Sequence, residues 1–290
     1  MTVELRKLTI DDADAVNRVS RTVWDEDYVP FLFEDWTKDE CWHLLGLFIE
    51  SELIGFGALQ LMKDTSDAWV RGLRVSLKHQ RRHYGSTITK NLIETARRES
   101  VKTLWYATGS RNVASMHLAR SLGFREVNRV GYFQLTRPFP PHPTPSPNLR
   151  PLKVDAARLL DVLRKNPSLV EANTLPSAWQ FERKNIEGIQ KIGETSEFML
   201  MIDEKGIVES LYYFLQRERD GRTSAIYSVF SLSRSMFVDV MARILDDLEL
   251  SEIERAVFFL GPNATEWAPA LMIVPEEYSG REYALHEMNL

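Results

Sequence analysis

At 290 residues, 44% hydrophobic and 27% charged, the chain has enough apolar material for two packed domains. No apolar run reaches the ~18 residues of a membrane helix, and the lone Cys41 supplies neither an internal disulfide nor a metal framework. The net charge of −5 argues against general nucleic-acid binding, although 20 Lys/Arg meet 18 Asp/Glu up to Arg137 and 16 meet 23 beyond it, so an anion site is expected in the first half.

Residues 1–7 carry Glu4, Arg6 and Lys7 where a secretory leader would be apolar, so a cytoplasmic protein is expected. Residues 3–8 alternate like a strand, and Ile10-Asp11-Asp12 opens an acidic helix predicted to run to about Trp24. Residues 45–49 and 53–62 are apolar runs around a short polar turn, which predicts a hairpin. A further strand is expected at 68–75, a one-faced helix at 86–99 (Ile88, Leu92, Ile93, Ala96), a strand at 103–108, a helix at 113–122 and a strand at 126–135.

The prolines of residues 138–150 predict an extended connector between a domain at 1–137 and a second at 151–290. Beyond it, helices are expected at 156–163, 177–189 and 235–248. Strands are expected at 198–202, 207–216, 224–230, 256–260 and 283–289. This order weakly echoes the first half, as a duplication would. An unrelated α+β accessory domain fits equally well. Trp179, Trp267 and Tyr278 read as core or interface aromatics.

Chemistry concentrates after the strand that ends at Val75. A basic turn with Lys78, Arg81 and Arg82 precedes a helix starting near Tyr84–Ser86, and helix N-termini receive phosphate through free amides and the positive end of the dipole. The segment Gln80-Arg81-Arg82-His83-Tyr84-Gly85 resembles the pyrophosphate loop of the GNAT acyltransferase superfamily, Gln/Arg-x-x-Gly-x-Gly/Ala. It matches at Gln80 and Gly85, and His83 stands where the first glycine belongs; His83 is expected to keep an ordinary negative φ. A second block, Asn112, Gly123 and Phe124, stands at the family's spacing, with Ala119 in place of the usual tyrosine acid.

The resemblance implies a GNAT-fold α/β domain with a mixed sheet, followed by a second GNAT-like or other α+β domain. It implies acetyl-CoA as cosubstrate, held by Leu73, Arg74, Val75, Gln80, Arg81, Arg82, His83, Tyr84, Gly85, Ser86 and Asn112. It implies direct transfer to an amine in a ternary complex, with water, Ser110 or Tyr106 replacing the missing acid. Residues 25–36 also resemble the histidine N-acetyltransferase group, which suggests Tyr28, Glu34, Asp35 and Trp36 as acceptor-binding residues. A small amine or amino acid is the leading acceptor; a protein N-terminus or lysine, and a non-catalytic CoA sensor or scaffold, are the alternatives. No membrane or nucleic-acid partner and no metal are expected. The second domain lacks a comparable loop and is expected to have lost any CoA site, so an isolated segment 1–137 is expected to keep CoA binding.

Overall fold

The computed structural model describes residues 2–24, 27–63, 65–146, 151–203, 205–219 and 221–290. The chain forms two compact units, one of Met1–Ala107, Asn112–Glu126 and His286–Leu290, the other of Thr108–Arg111 and Val127–Leu285.

The first unit is built from β1 (Val3–Lys7), α1 (Ala13–Arg21), α2 (Val29–Lys38), β2 (Trp42–Ile49), β3 (Glu52–Leu61), β4 (Asp67–Val75), α3 (Tyr84–Arg98), β5 (Thr103–Gly109) and α4 (Val113–Ser121). Its strands lie in the order β1-β2-β3-β4-β5, antiparallel until the parallel pair β4–β5. Each face of the sheet is covered because the helices carry apolar residues three and four apart. Val16, Val19, Phe33 and Trp36 of α1 and α2 pack with Leu44, Phe48 and Phe56. On another core cluster Ile88, Leu92, Ile93 and Ala96 of α3 meet Leu47, Leu59, Val70 and Leu104. Each such aliphatic side chain contributes roughly 1.5–3 kcal/mol on burial. The helix expected to reach Trp24 stops at Arg21, and α2 supplies the rest of that layer.

The second unit contains most of β6 (Arg125–Thr136), then β7 (Pro151–Val154), α5 (Ala156–Lys165), β8 (Thr174–Ser177), β9 (Gln180–Arg183), α6 (Ile186–Gly193), β10 (Glu197–Ile202), β11 (Val208–Arg219), β12 (Arg222–Ser231), α7 (Arg234–Glu249), β13 (Arg255–Leu260), α8 (Pro262–Trp267) and the first half of β14 (Glu282–Asn289). Its strand order is β6-β13-β12-β11-β10-β7, again antiparallel except for one parallel pair, β12–β13. Apart from the inserted hairpin β8–β9, the element order from β7 to β14 repeats that of β1 to β6. The closing strands are exchanged: β6 pairs with β13, Phe133 opposite Phe258, while residues 286–289 of β14, with Leu290, belong to the first unit.

The helix expected at 177–189 is not one element. Ala178 takes φ 55° and turns β8 into β9, and the helix begins only at Ile186, where the Asn185 side chain accepts the Gly188 amide. That cap, rather than the apolar spacing, sets the helix start. The described part of the proline stretch is seated on the second unit: Phe139 is buried in its core, and the Ser146 amide donates to Asp239 Oδ1 (3.2 Å). Residues 147–150 lie outside the described residues. Among those described, no helix is long and apolar enough to cross a membrane.

Candidate active site

The site begins where two parallel strands part. β4 pairs with β5 only from Asp67 opposite Thr103 to Val70 opposite Tyr106, so β4 continues through Val75 without a strand partner on that side. On its other side β4 bulges: Arg71 lies opposite Ala58 and Arg74 opposite Phe56, leaving three steps on one strand against two on the other. Gly72 absorbs the bulge at φ 61°, and a Cβ there would meet the Trp36 ring at 3.2 Å. The backbone of Leu73, Arg74 and Val75 therefore borders an open gap, where an extended chain with amide groups can pair as an added strand.

Beyond the gap lies the basic turn. The Gln80 side chain donates to the Val75 carbonyl (3.2 Å) and closes the turn against β4. His83 sits at φ 62°, ψ 7°, not at the negative φ expected from its side chain: the left-handed geometry that glycine would supply is retained by a histidine. Arg81 also has positive φ, 61°. These reversals leave α3 without a side-chain cap, and among the described residues no hydrogen bond uses the amides of Arg82 through Ser86. Lys78, Arg81, Arg82 and His83 are exposed, and among the described residues none of the three cations is in an ion pair. Gly85 has no conformational need to be glycine, since an added Cβ would meet nothing closer than 3.7 Å. Its small size is free to serve a group outside the chain. Open amides, a helix dipole and exposed cations fit a pyrophosphate.

On the α1–α2 side, the Arg74 side chain turns inward. Its guanidinium is bidentate on Asp27 (both contacts 2.7 Å), with the two side chains 5% and 2% exposed. It also stacks 4.1 Å from the Trp24 ring and 5.4 Å from that of Tyr28. Burial by itself would raise the Asp27 carboxyl, but hydrogen bonds and charge from Arg74, with the Val29 amide, hold it below the usual carboxylate range. Asp27 also lines a cavity of about 290 Å³ with Asn17, Ser20, Arg21, Trp24, Pro30 and Phe31. Trp24 is 48% and Phe31 61% exposed.

The acceptor residues suggested by sequence do not gather around this cavity. Trp36 is buried and stacked on Trp42 (4.2 Å). Tyr28 meets Trp36 edge-on, and Glu34 and Asp35 are exposed, with Glu34 paired to Lys38 (2.6 Å). Two members of the acidic stretch, Asp25 and Glu26, lie outside the described residues. Asp27 and Trp24 were missed because a buried ion pair looks in sequence like one more acid in an acidic loop.

Tyr106, at the point where the strands part, is buried, and its hydroxyl meets the Ser115 hydroxyl on the first turn of α4. Burial raises the phenol, so it stays protonated. Asn112 caps α4 by accepting the Ser115 amide (3.2 Å). Ala119 is 1% exposed in the same cluster as Tyr106 and Phe124. Ser110 is counted with the second unit, where its hydroxyl accepts the Glu282 amide (3.1 Å).

The corresponding place in the second unit is closed. β12 and β13 stay paired from Ser224 opposite Arg255 to Val229 opposite Leu260, where β13 ends. The N-terminus of α7 is capped by Ser233, which accepts the Met236 amide and donates to Glu209. A carboxylate of the chain's own thus stands beside the N-cap of α7.

A parted parallel strand pair leading into an uncapped, cation-rich helix N-terminus fits a phosphate-bearing ligand with an extended amide arm. Residues 10–124 match the acetyltransferase (GNAT) family model, so this segment is a GNAT acetyltransferase domain; the family's acyl donor is acetyl-CoA. Structures similar over almost the whole chain include a GCN5-related N-acetyltransferase from Sphaerobacter thermophilus (TM-score 0.61, 12% identity, 99% of this chain and 95% of that one). A tandem GNAT protein from the clavulanic acid biosynthesis pathway aligns at TM-score 0.57 and 12% identity over 99% and 98%. A GCN5-related N-acetyltransferase from Kribbella flavida aligns at 0.51 and 14% over 100% and 71%. At these identities the likeness is one of fold. No curated protein sequence matches the chain.

Proposed function

We propose that the chain transfers the acetyl group of acetyl-CoA to the amine of a small molecule by direct attack within a ternary complex. The observation that carries this reading is the gap after Val70 and Tyr106, which leads along Leu73–Val75 to the open amides of Arg82–Ser86. Arg81, Arg82 and Lys78 would neutralise the phosphates. The amine nitrogen bonds to the thioester carbon, the carbon–sulfur bond breaks, the nitrogen gives up a proton to water as the amide forms, and the thiolate takes a proton. The Tyr106–Ser115 hydroxyl pair is the donor this reading assigns, in place of the phenol absent at Ala119.

The cavity beside Arg74 supports a small acceptor over a protein tail. It is of small-molecule size, and Trp24 and Phe31 offer an apolar wall next to the strand that borders the donor gap. Asp27 is committed to Arg74 and is not assigned as the base; the amine loses its proton to water before attack.

The test is turnover, read as CoA thiol release from acetyl-CoA with pooled amines and amino acids. Gly85→Glu puts bulk and negative charge against the pyrophosphate and should abolish both turnover and CoA binding while the fold is kept. Tyr106→Phe should lower kcat at least tenfold with CoA affinity unchanged. Equal CoA affinity for Gly85→Glu and the parent by calorimetry would remove the donor site. CoA binding without release of thiol by any pool would favour the sensor reading.

A further inference from the structure

The second unit carries a cluster of arginine and aromatic side chains that the acetyl-donor site does not use. Tyr132 and Gln134 stand on one side of β6, with Arg255 and Phe259 beside them on β13. Tyr278 and Arg281 come from the segment that enters β14, and Trp179 from the turn between β8 and β9. Arg255 donates to the Gln134 carbonyl oxygen, and the Gln134 amide donates to the Tyr278 hydroxyl. The Arg281 guanidinium lies 4.7 Å from the Tyr278 ring, and its Nε is buried with no hydrogen-bond partner among the described residues. Tyr132 contacts Phe259 (5.5 Å) and Tyr278 (5.9 Å), and Trp179 contacts Phe259 (5.9 Å).

The segment is held in place rather than draped. Arg111 donates to the main-chain carbonyls of Glu277 (3.0 Å) and Ser279. The Arg281 carbonyl accepts the Tyr132 amide (3.0 Å), and its own amide donates to the Tyr278 carbonyl (2.9 Å). Neither Arg255 nor Arg281 forms an ion pair among the described residues. The neighbouring acids are otherwise engaged or exposed: Glu282 pairs with Arg129 (2.5 Å), and Glu276 and Glu277 are exposed, with no ion pair among the described residues. Two half-exposed guanidinium groups, donor-only and unneutralised, stand among flat aromatic rings. Guanidinium forks match a carboxylate bidentately, and aromatic walls cover a planar body.

We propose that this cluster on the second unit, centred on Arg255, Arg281 and Tyr278, binds the carboxylate of a small ligand with a planar or aromatic body. The assignment is independent of the acetyl-transfer reading, because every residue in it belongs to the second unit.

The full chain is titrated by calorimetry with benzoate, phenylphosphate and inorganic phosphate, and separately with CoA. Benzoate should bind, and Arg255→Gln and Arg281→Gln should each weaken it at least tenfold with CoA affinity and near-ultraviolet circular dichroism unchanged. Arg281→Gln is the safer variant, because Arg281 joins the fold through its main chain. No benzoate binding to the parent chain, or equal binding by folded variants, would overturn the proposal. Tenfold tighter binding of either phosphate probe than of benzoate would overturn it as well. A failure of the acetyl-transfer reading would show instead in the CoA titration, which this outcome leaves untouched.

Discussion

Asp27 and Arg74 show how much one pair of side chains decides. Two charges almost without solvent exposure persist because each satisfies the other, and removing one partner typically costs about 3–5 kcal/mol. Asp27→Asn is expected to destabilise the first unit by roughly that amount at neutral pH, checked by denaturant unfolding. The Asp27 carboxyl is held below its ordinary value, so its stabilising contribution is full above the unfolded carboxylate range and is lost as pH falls through the folded value. The acid limb of stability against pH should therefore be shallower for Asp27→Asn than for the parent; parallel limbs would show the pair to be energetically silent. His83 makes a second residue-scale case. An L-residue in the left-handed region costs about 1 kcal/mol, more when β-branched. His83→Gly should melt no lower than the parent and keep CoA affinity, whereas His83→Val should lose about 1–2 kcal/mol in the same thermal melts. A His83→Val protein as stable as the parent would show that the turn does not depend on positive φ.

At the scale of elements, the two parallel strand pairs distinguish the unit that carries the proposed donor site from the one that does not. β4 leaves β5 after Val70, while β12 keeps β13 to the end of that strand. The helix that connects β4 to β5 is uncapped and flanked by cations; the one that connects β12 to β13 is capped by Ser233, with Glu209 beside it. Calorimetry should thus find one CoA per chain, and Glu209→Gln should leave that number at one, because opening the helix end does not part the strands. Two sites per parent chain would contradict the closed geometry. This contrast was partly legible in the sequence. Glycine at 85 and the basic run announced the first loop, and their absence from residues 230–236 announced the second. The parting of β4 from β5 was not legible, since it comes from strand register rather than from any residue type. The hairpin β8–β9 hid behind helical spacing for the same reason: Ala178 at positive φ carries no sequence signal.

For the whole molecule, chain order and unit membership differ at the closing strands β6 and β14. A boundary at the prolines follows from composition, yet most of β6 lies in the second unit, and residues 286–290 lie in the first. Nothing in those last residues distinguishes a strand that closes its own half from one that closes the other, because both would alternate in the same way. Their place is visible only in contacts. His286 is fully buried, Met288 and Leu290 pack on the cluster that holds Tyr106 and Ala119, and the Leu290 amide donates to the Lys102 carbonyl (3.0 Å). The expectation that segment 1–137 would suffice for CoA binding therefore changes: it lacks a strand that its own core needs and ends in one that pairs elsewhere. Deleting residues 286–290 from the full chain should weaken a site formed some 200 positions earlier in the sequence. Loss of the buried part of three side chains and one sheet edge corresponds to roughly 3 kcal/mol, or about 5–10 °C in a chain of this size. The truncated chain should melt earlier by that margin, and CoA should raise its melting temperature less than it raises that of the parent. Identical melting curves and identical CoA shifts for the two chains would mean that the closing strand adds nothing to the first unit.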